Sequence, residues 1–188
     1  MIGIALSAAI YNTINQDANG VPLHFDHLFN FGAVLVTIIP FYHGAVRHLM
    51  ATYVEDGGSS KIKNGALMAD YVLLFLEGCV FVTLAVLVAN TETLIWVLVT
   101  LLLLDSVWGF LAWLAFTGAQ SQYAERKWAI INLLCAGILV LIGVYGNATI
   151  TSDPLMAQGS IFFVMVLRTI ADYGWCWNFY YPPIPSNQ

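Results

Sequence analysis

Apolar residues fill five stretches of membrane length, and polar residues gather in the breaks between them. The stretches cover roughly residues 23–49, 66–89, 94–117, 128–145 and 154–175. A helix rises ~1.5 Å per residue, so about 20 residues cross a hydrocarbon core of ~30 Å. Each stretch therefore predicts a transmembrane helix, and the chain reads as an all-α membrane protein with a bundle of five spans. The breaks carry turn chemistry: Gly57-Gly58-Ser59-Ser60, Asn90-Thr91-Glu92-Thr93, a loop over 118–127 holding Glu125, Arg126 and Lys127, and a turn over 147–153. Pro154 suits the first turn of the last helix. Pro40 lies inside the first stretch, removes one backbone donor and predicts a kink.

The remaining segments are short. Residues 1–20 open with an apolar run to Tyr11 that no Lys or Arg precedes. The run lacks the positive region of a signal peptide and is too short to span. It reads as an interfacial or partly inserted helix. Residues 21–178 form the five-helix domain. Residues 179–188, with Pro182-Pro183-Ile184-Pro185, make a Pro-rich tail that cannot continue a helix. No break is long enough to hold a soluble domain.

Composition sharpens this picture. Hydrophobic residues make up 60% of the 188 and charged residues 9%. A soluble domain carries roughly 25% charged residues, so neither a soluble nor a disordered chain is described. Six Lys and Arg cannot build a phosphate-tracking groove, which excludes nucleic acid as a partner. Cys79, Cys135 and Cys176 are odd in number and far apart, with no C-x-x-C among them, and read as buried thiols. Arg47, Lys61 and Lys63 flank the first loop and Arg126 and Lys127 occupy the third, whereas 90–93 and 147–153 hold no basic residue. The positive-inside rule makes the basic side cytoplasmic, with the N-terminus outside, the C-terminus inside and the cell (inner) membrane as the setting. Trp96, Trp128, Trp175 and Trp177 fall near the expected interfaces.

The chemistry lies in the charges that composition cannot avoid. Asp70, Glu77, Asp105 and Asp172 fall inside apolar stretches. A charge at the bilayer centre costs about 2.5–3.5 kcal/mol on the most forgiving scale. By helical rise, Glu77 and Asp105 sit roughly 16 and 18 Å from the cytoplasmic ends of their helices, near the midplane. Asp70, Asp172, Arg168, His43, Arg47 and Asn132 fall in the cytoplasmic half. Asp70 and Glu77, seven apart, share one face, as do Arg168 and Asp172 or His43 and Arg47, four apart. Facing lipid would leave these charges unpaired, so the polar stripes are expected to converge. Four carboxylates face two arginines, leaving two to hold a proton, bind a cation or meet water. Glu77 and Asp105 are the expected proton sites, with Asp70 and His43 along the same path. Arg168 is expected to pair with Asp70 or Asp172 as a structural clamp, and Arg47 to serve a similar role.

These residues suggest a proton or cation pathway in an oligomer: a channel, a transporter subunit or a membrane-permeabilising effector. The expected partners are the bilayer and further copies of the chain or other membrane subunits. The alternative is an intramembrane metal- or haem-dependent enzyme or redox subunit, and no cofactor is assigned. His24 and His27, with Asp26 between, make only a weak metal motif, and bis-histidine haem ligation would need a second subunit. The absence of intramembrane lysine excludes a retinal Schiff base; H-E-x-x-H and phosphate-loop motifs are lacking. Asn147-Ala148-Thr149 matches a glycosylation sequon.

Overall fold

The structure is a computed structural model and describes residues 2–14, 27–55, 64–115, 122–145 and 153–182. Among these residues all regular structure is helical. The Gly57–Ser60 loop, the sequon, His24, Asp26 and the tail beyond Pro182 lie outside them. The helices are α1 (Ile2–Ile14), α2 (Leu28–Leu49) with a π-helical extension over Met50–Glu55, α3 (Asn64–Val86), α4 (Thr91–Ala115), α5 (Gln122–Tyr145), α6 (Pro154–Trp175) and the short α7 (Trp177–Tyr180). Five are long and apolar enough to cross a membrane. Ile39, Leu111, Leu134, Leu141, Phe163 and Ile170 point outward at 57–64% exposure, a surface that only lipid covers well. The chain is a multi-pass integral membrane protein.

Helices α2 to α6 form a closed ring in which each packs on the next and α6 returns to α2. Local chemistry sets the turns. Asp153 caps α6 by accepting from Met156 N at 3.1 Å, with Pro154 beginning the helix. Asn90 accepts from Thr93 N at 3.0 Å and caps α4. From neighbouring α2, Asn30 donates to Val88 O (2.8 Å) and Thr91 Oγ1 (3.0 Å), so α2 clamps the α3–α4 turn. This end of the bundle is packed with fully buried side chains, including Leu84, Leu94, Ile95, Leu98 and Leu139.

A glycine lets two helices approach closely, and a hydroxyl accommodates a proline. A Cβ on Gly109 would come 2.9 Å from Glu125 O and 3.2 Å from Ala129 Cβ, so α4 and α5 touch nearly backbone to backbone there. Pro40 sits within an uninterrupted α2, and the carbonyl that its missing N–H leaves over is that of Val36. Thr169 Oγ1 on α6 donates to Val36 O at 3.0 Å and fills the gap. A neighbouring hydroxyl is how lipid-embedded helices accommodate proline.

Helix α1 packs along α3 and touches α2. Ala5 and Ala9 are fully buried, and Asn12 Nδ2 donates to Ala85 O at 3.3 Å. Its first residues lie near Gly78 and Glu77, halfway along α3. The helix thus lies beside the half of the ring that carries the α3–α4 turn.

Candidate functional site: a charged cavity inside the ring

The polar stripes do converge. His48, Asp70, Glu77, Asp105, Arg168 and Asp172 line one cavity of about 40 Å³ inside the ring, toward the end that carries Arg47 and Lys127. A water needs roughly 10–15 Å³ by this measure, so two or three fit. All six residues are at most 9% exposed. Helix α2 contributes the apolar wall beside them through Phe41 and Gly44.

One half of the cavity is organised by His48. Its Nε2 lies 3.1 Å from Asp70 Oδ2 and its Nδ1 lies 2.8 Å from Glu125 Oε1, so the imidazole bridges α3 and α5. Asp70 is held further by Tyr53 OH, donating to Oδ2 at 2.6 Å, and by Trp108 Nε1, donating to Oδ1 at 3.0 Å. The π-helical turn explains Tyr53. Residues five apart diverge on an α-helix, but i→i+5 bonding widens the turn and carries Tyr53 round to the side of His48. The Trp108 ring meets the His48 imidazole edge-on at 4.8 Å and closes the wall.

The other half centres on Arg168. Its Nε donates to Asn132 Oδ1 at 2.8 Å, and Asn132 Nδ2 in turn donates to Asp105 Oδ2. Arg168 Nη1 lies 3.6 Å from Asp172 Oδ2, and the guanidinium covers the Phe41 ring at 4.4 Å. Tyr180 OH donates to both Asp172 oxygens at 3.0 and 3.1 Å. Burial and the Asp172 charge push the Tyr180 phenol up, which keeps it a donor. Glu77 and Asp105 face the same cavity deep in the ring and interact electrostatically there. Hydrogen bonds therefore run from Asp105 through Asn132 to Arg168, the ion pair extends them to Asp172 and Tyr180, and Glu77 adjoins the Asp105 end on the cavity wall.

Of the two carboxylates expected for Arg168, Asp172 on its own helix is the partner, Asp70 lies on the His48 side, and the link across the ring goes to Asn132 of α5. His43 is not in the cavity. It is half-buried, with Nδ1 3.0 Å from Tyr173 OH and its ring 4.7 Å from Tyr180. His48 takes the place expected of His43, because the inward stripe of α2 runs Thr37, Phe41, Gly44, His48. Arg47 Nε donates to Phe179 O at 2.7 Å, with the guanidinium 5.4 Å from the Phe179 ring, and ties α2 to α7. Lys127 Nζ does the same for Trp175 O at 2.7 Å. Burial pushes the nearby Cys176 thiol up to about 12.

Glu125 was the residue that sequence reasoning missed. Read as part of a loop, it is fully buried, because α5 starts at Gln122 and runs through the charged cluster. The available signal was its spacing: Glu125 and Asn132 are seven apart and share the inward face of α5, as Asp70 and Glu77 do on α3. Among the described residues, no three His, Cys, Asp or Glu side chains are placed to share a metal ion.

Fold and cavity together define a multi-pass membrane protein with a charged interior closed at one end by apolar packing. Comparison with protein-family models, with curated proteins and with solved structures finds no match.

Proposed function

We propose that the chain forms a membrane pathway for protons, working in an oligomer, with the Glu77–Asp105 pair as its relay site. The observation that supports this is that two buried carboxyls, Glu77 and Asp105, line one cavity deep in the ring that is large enough for water. Two carboxyls sharing one site do not ionise together easily, so such a pair binds and releases a proton as a unit. The charge balance points the same way. Among the described residues five buried carboxylates, Asp70, Glu77, Asp105, Glu125 and Asp172, face two buried basic groups, Arg168 and His48. With His48 charged, three carboxylates still exceed the cations, and the cluster must carry protons or a cation to remain in the bilayer.

In this reading Tyr53, half-buried and bonded to Asp70, is the lead from the basic end. Water in the cavity connects Asp70 to Glu77. Beyond Glu77 the ring is filled by leucine and isoleucine, so the route continues along the lateral face at Glu77, where a second copy or a rearranged α3 would complete it. The basic residues Arg47, Arg126 and Lys127 orient that end to the cytoplasm by the positive-inside rule, with the N-terminus outside.

The test is collapse of an imposed pH gradient in liposomes. Wild type should dissipate it, and Glu77→Gln or Asp105→Asn should abolish that flux while the protein stays folded and assembled, since each swap keeps shape and hydrogen bonding. Normal flux in both variants, or none in wild type, rejects the proposal.

A further inference from the structure

Glu77 borders a second space. An apolar groove of about 590 Å³ runs between α1, α2 and α3, and Glu77 lines it as well as the cavity. Its other walls are apolar or glycine, among them Gly3, Phe41, Val46, Leu74 and Gly78, with Tyr42 at the edge. Pockets that take small organic molecules measure roughly 300–1,000 Å³ and combine apolar walls with a few placed polar groups. Here Glu77 is the only ionisable wall residue besides Tyr42 among those described. Helix α3 is also among the least internally buried spans, a third of its membrane window being covered.

We infer that this groove is a lateral binding site for membrane-dissolved amphiphiles with an amine head, whose ammonium group binds the Glu77 carboxylate while the tail lies between α1, α2 and α3. Charge complementarity selects the head. The ring holds more carboxylates than cations, and a bound ammonium supplies the missing positive charge in place of a proton. A carboxylate head would add to the excess, and a hydroxyl head would leave it unchanged. The apolar walls select the tail and the route, since a molecule reaching Glu77 this way comes from the lipid and need not cross the water-sized cavity. The inference goes beyond the relay reading and does not depend on transport.

The experiment uses the full chain in phosphatidylcholine nanodiscs and a lipid-soluble carbodiimide, dicyclohexylcarbodiimide. The protonated carboxyl adds across a carbodiimide C=N bond: the carboxyl oxygen bonds to carbon and the proton passes to nitrogen. An oxygen-to-nitrogen acyl shift then gives a stable acylurea, with no leaving group and no change of oxidation state. Peptide mass spectrometry is expected to find the adduct on Glu77, and Glu77→Gln to lack it. Dodecylamine should protect Glu77, whereas dodecanol and dodecanoate at the same concentration should not. Gly78→Leu, which places bulk in the groove, should lower both labelling and amine protection, with far-UV circular dichroism and size-exclusion profile unchanged. If Gly78→Leu fails to fold, Val46→Phe on the opposite wall provides the same reading. Absence of label on Glu77, equal protection by all three amphiphiles, or undiminished protection in the filled-groove variant overturns the inference. Loss of liposome flux with labelling and protection intact would count against the pathway alone.

Discussion

Replacing Arg168 by methionine tests the clamp most directly. Methionine keeps bulk over the Phe41 ring and removes the charge and the donor. At the 3.6 Å separation from Asp172, the Coulomb energy is about 4.6 kcal/mol at an effective dielectric near ~20. The Nε bond to Asn132 is lost as well, and a buried acceptor left without a donor costs about 1–3 kcal/mol. Against these stands relief from burying a guanidinium, worth several kcal/mol. Removing one partner of a buried pair nets a loss of about 3–5 kcal/mol, and Arg168→Met is expected in that range. Adding Asp172→Asn removes the orphaned charge while still accepting from Tyr180, so the double variant should recover about 1–3 kcal/mol. Reversible unfolding in mixed detergent–dodecyl sulfate micelles, followed by tryptophan fluorescence, measures both. A loss below about 1 kcal/mol for the single variant, or losses that simply add in the double, would refute the clamp.

Three smaller perturbations probe the scaffold and its orientation. Thr169→Val leaves Val36 O without its donor beside Pro40 and should cost about 0.6–1.7 kcal/mol in the same unfolding assay, with Thr169→Ser restoring most of it. Gly109→Ala gains ~0.5–1 kcal/mol of helix propensity but must push a Cβ against the Glu125 carbonyl, an overpacking cost of about 1–3 kcal/mol; a net stabilisation would show that α4 and α5 do not touch there. A reporter active only in the cytoplasm should give signal when fused to Gln188, and activity solely from an extracytoplasmic reporter would reverse the proposed orientation.

The five spans were legible because lipid leaves the backbone no alternative: a helix must satisfy its own hydrogen bonds through a long apolar run, and such runs stand out by length alone. The boundary of α5 was not legible. Glu125, Arg126 and Lys127 look like a loop when counted together, yet they point in different directions from one helix: Glu125 is fully buried, Arg126 is exposed, and Lys127 reaches the end of α6.

Sequence by itself determined how many spans there are, which charges lie within them, and which charges share a face, since helical spacing settles each of these one helix at a time. It could therefore place Asp70 and Glu77 on one face, with Glu77 near the midplane and Asp70 nearer the helix end. Only tertiary structure decided how each helix is rotated about its axis and which neighbour it meets. That rotation turns His48 inward and His43 toward Tyr173 and Tyr180. It gives Asp70 to His48, Tyr53 and Trp108 and leaves Arg168 to Asn132 and Asp172. The physical reason is that pairing of charges across the ring depends on the close approach at Gly109, the proline gap filled by Thr169 and the wide turn at Tyr53. Each is a contact between distant residues, or a departure from ideal helix, that a one-dimensional period cannot express.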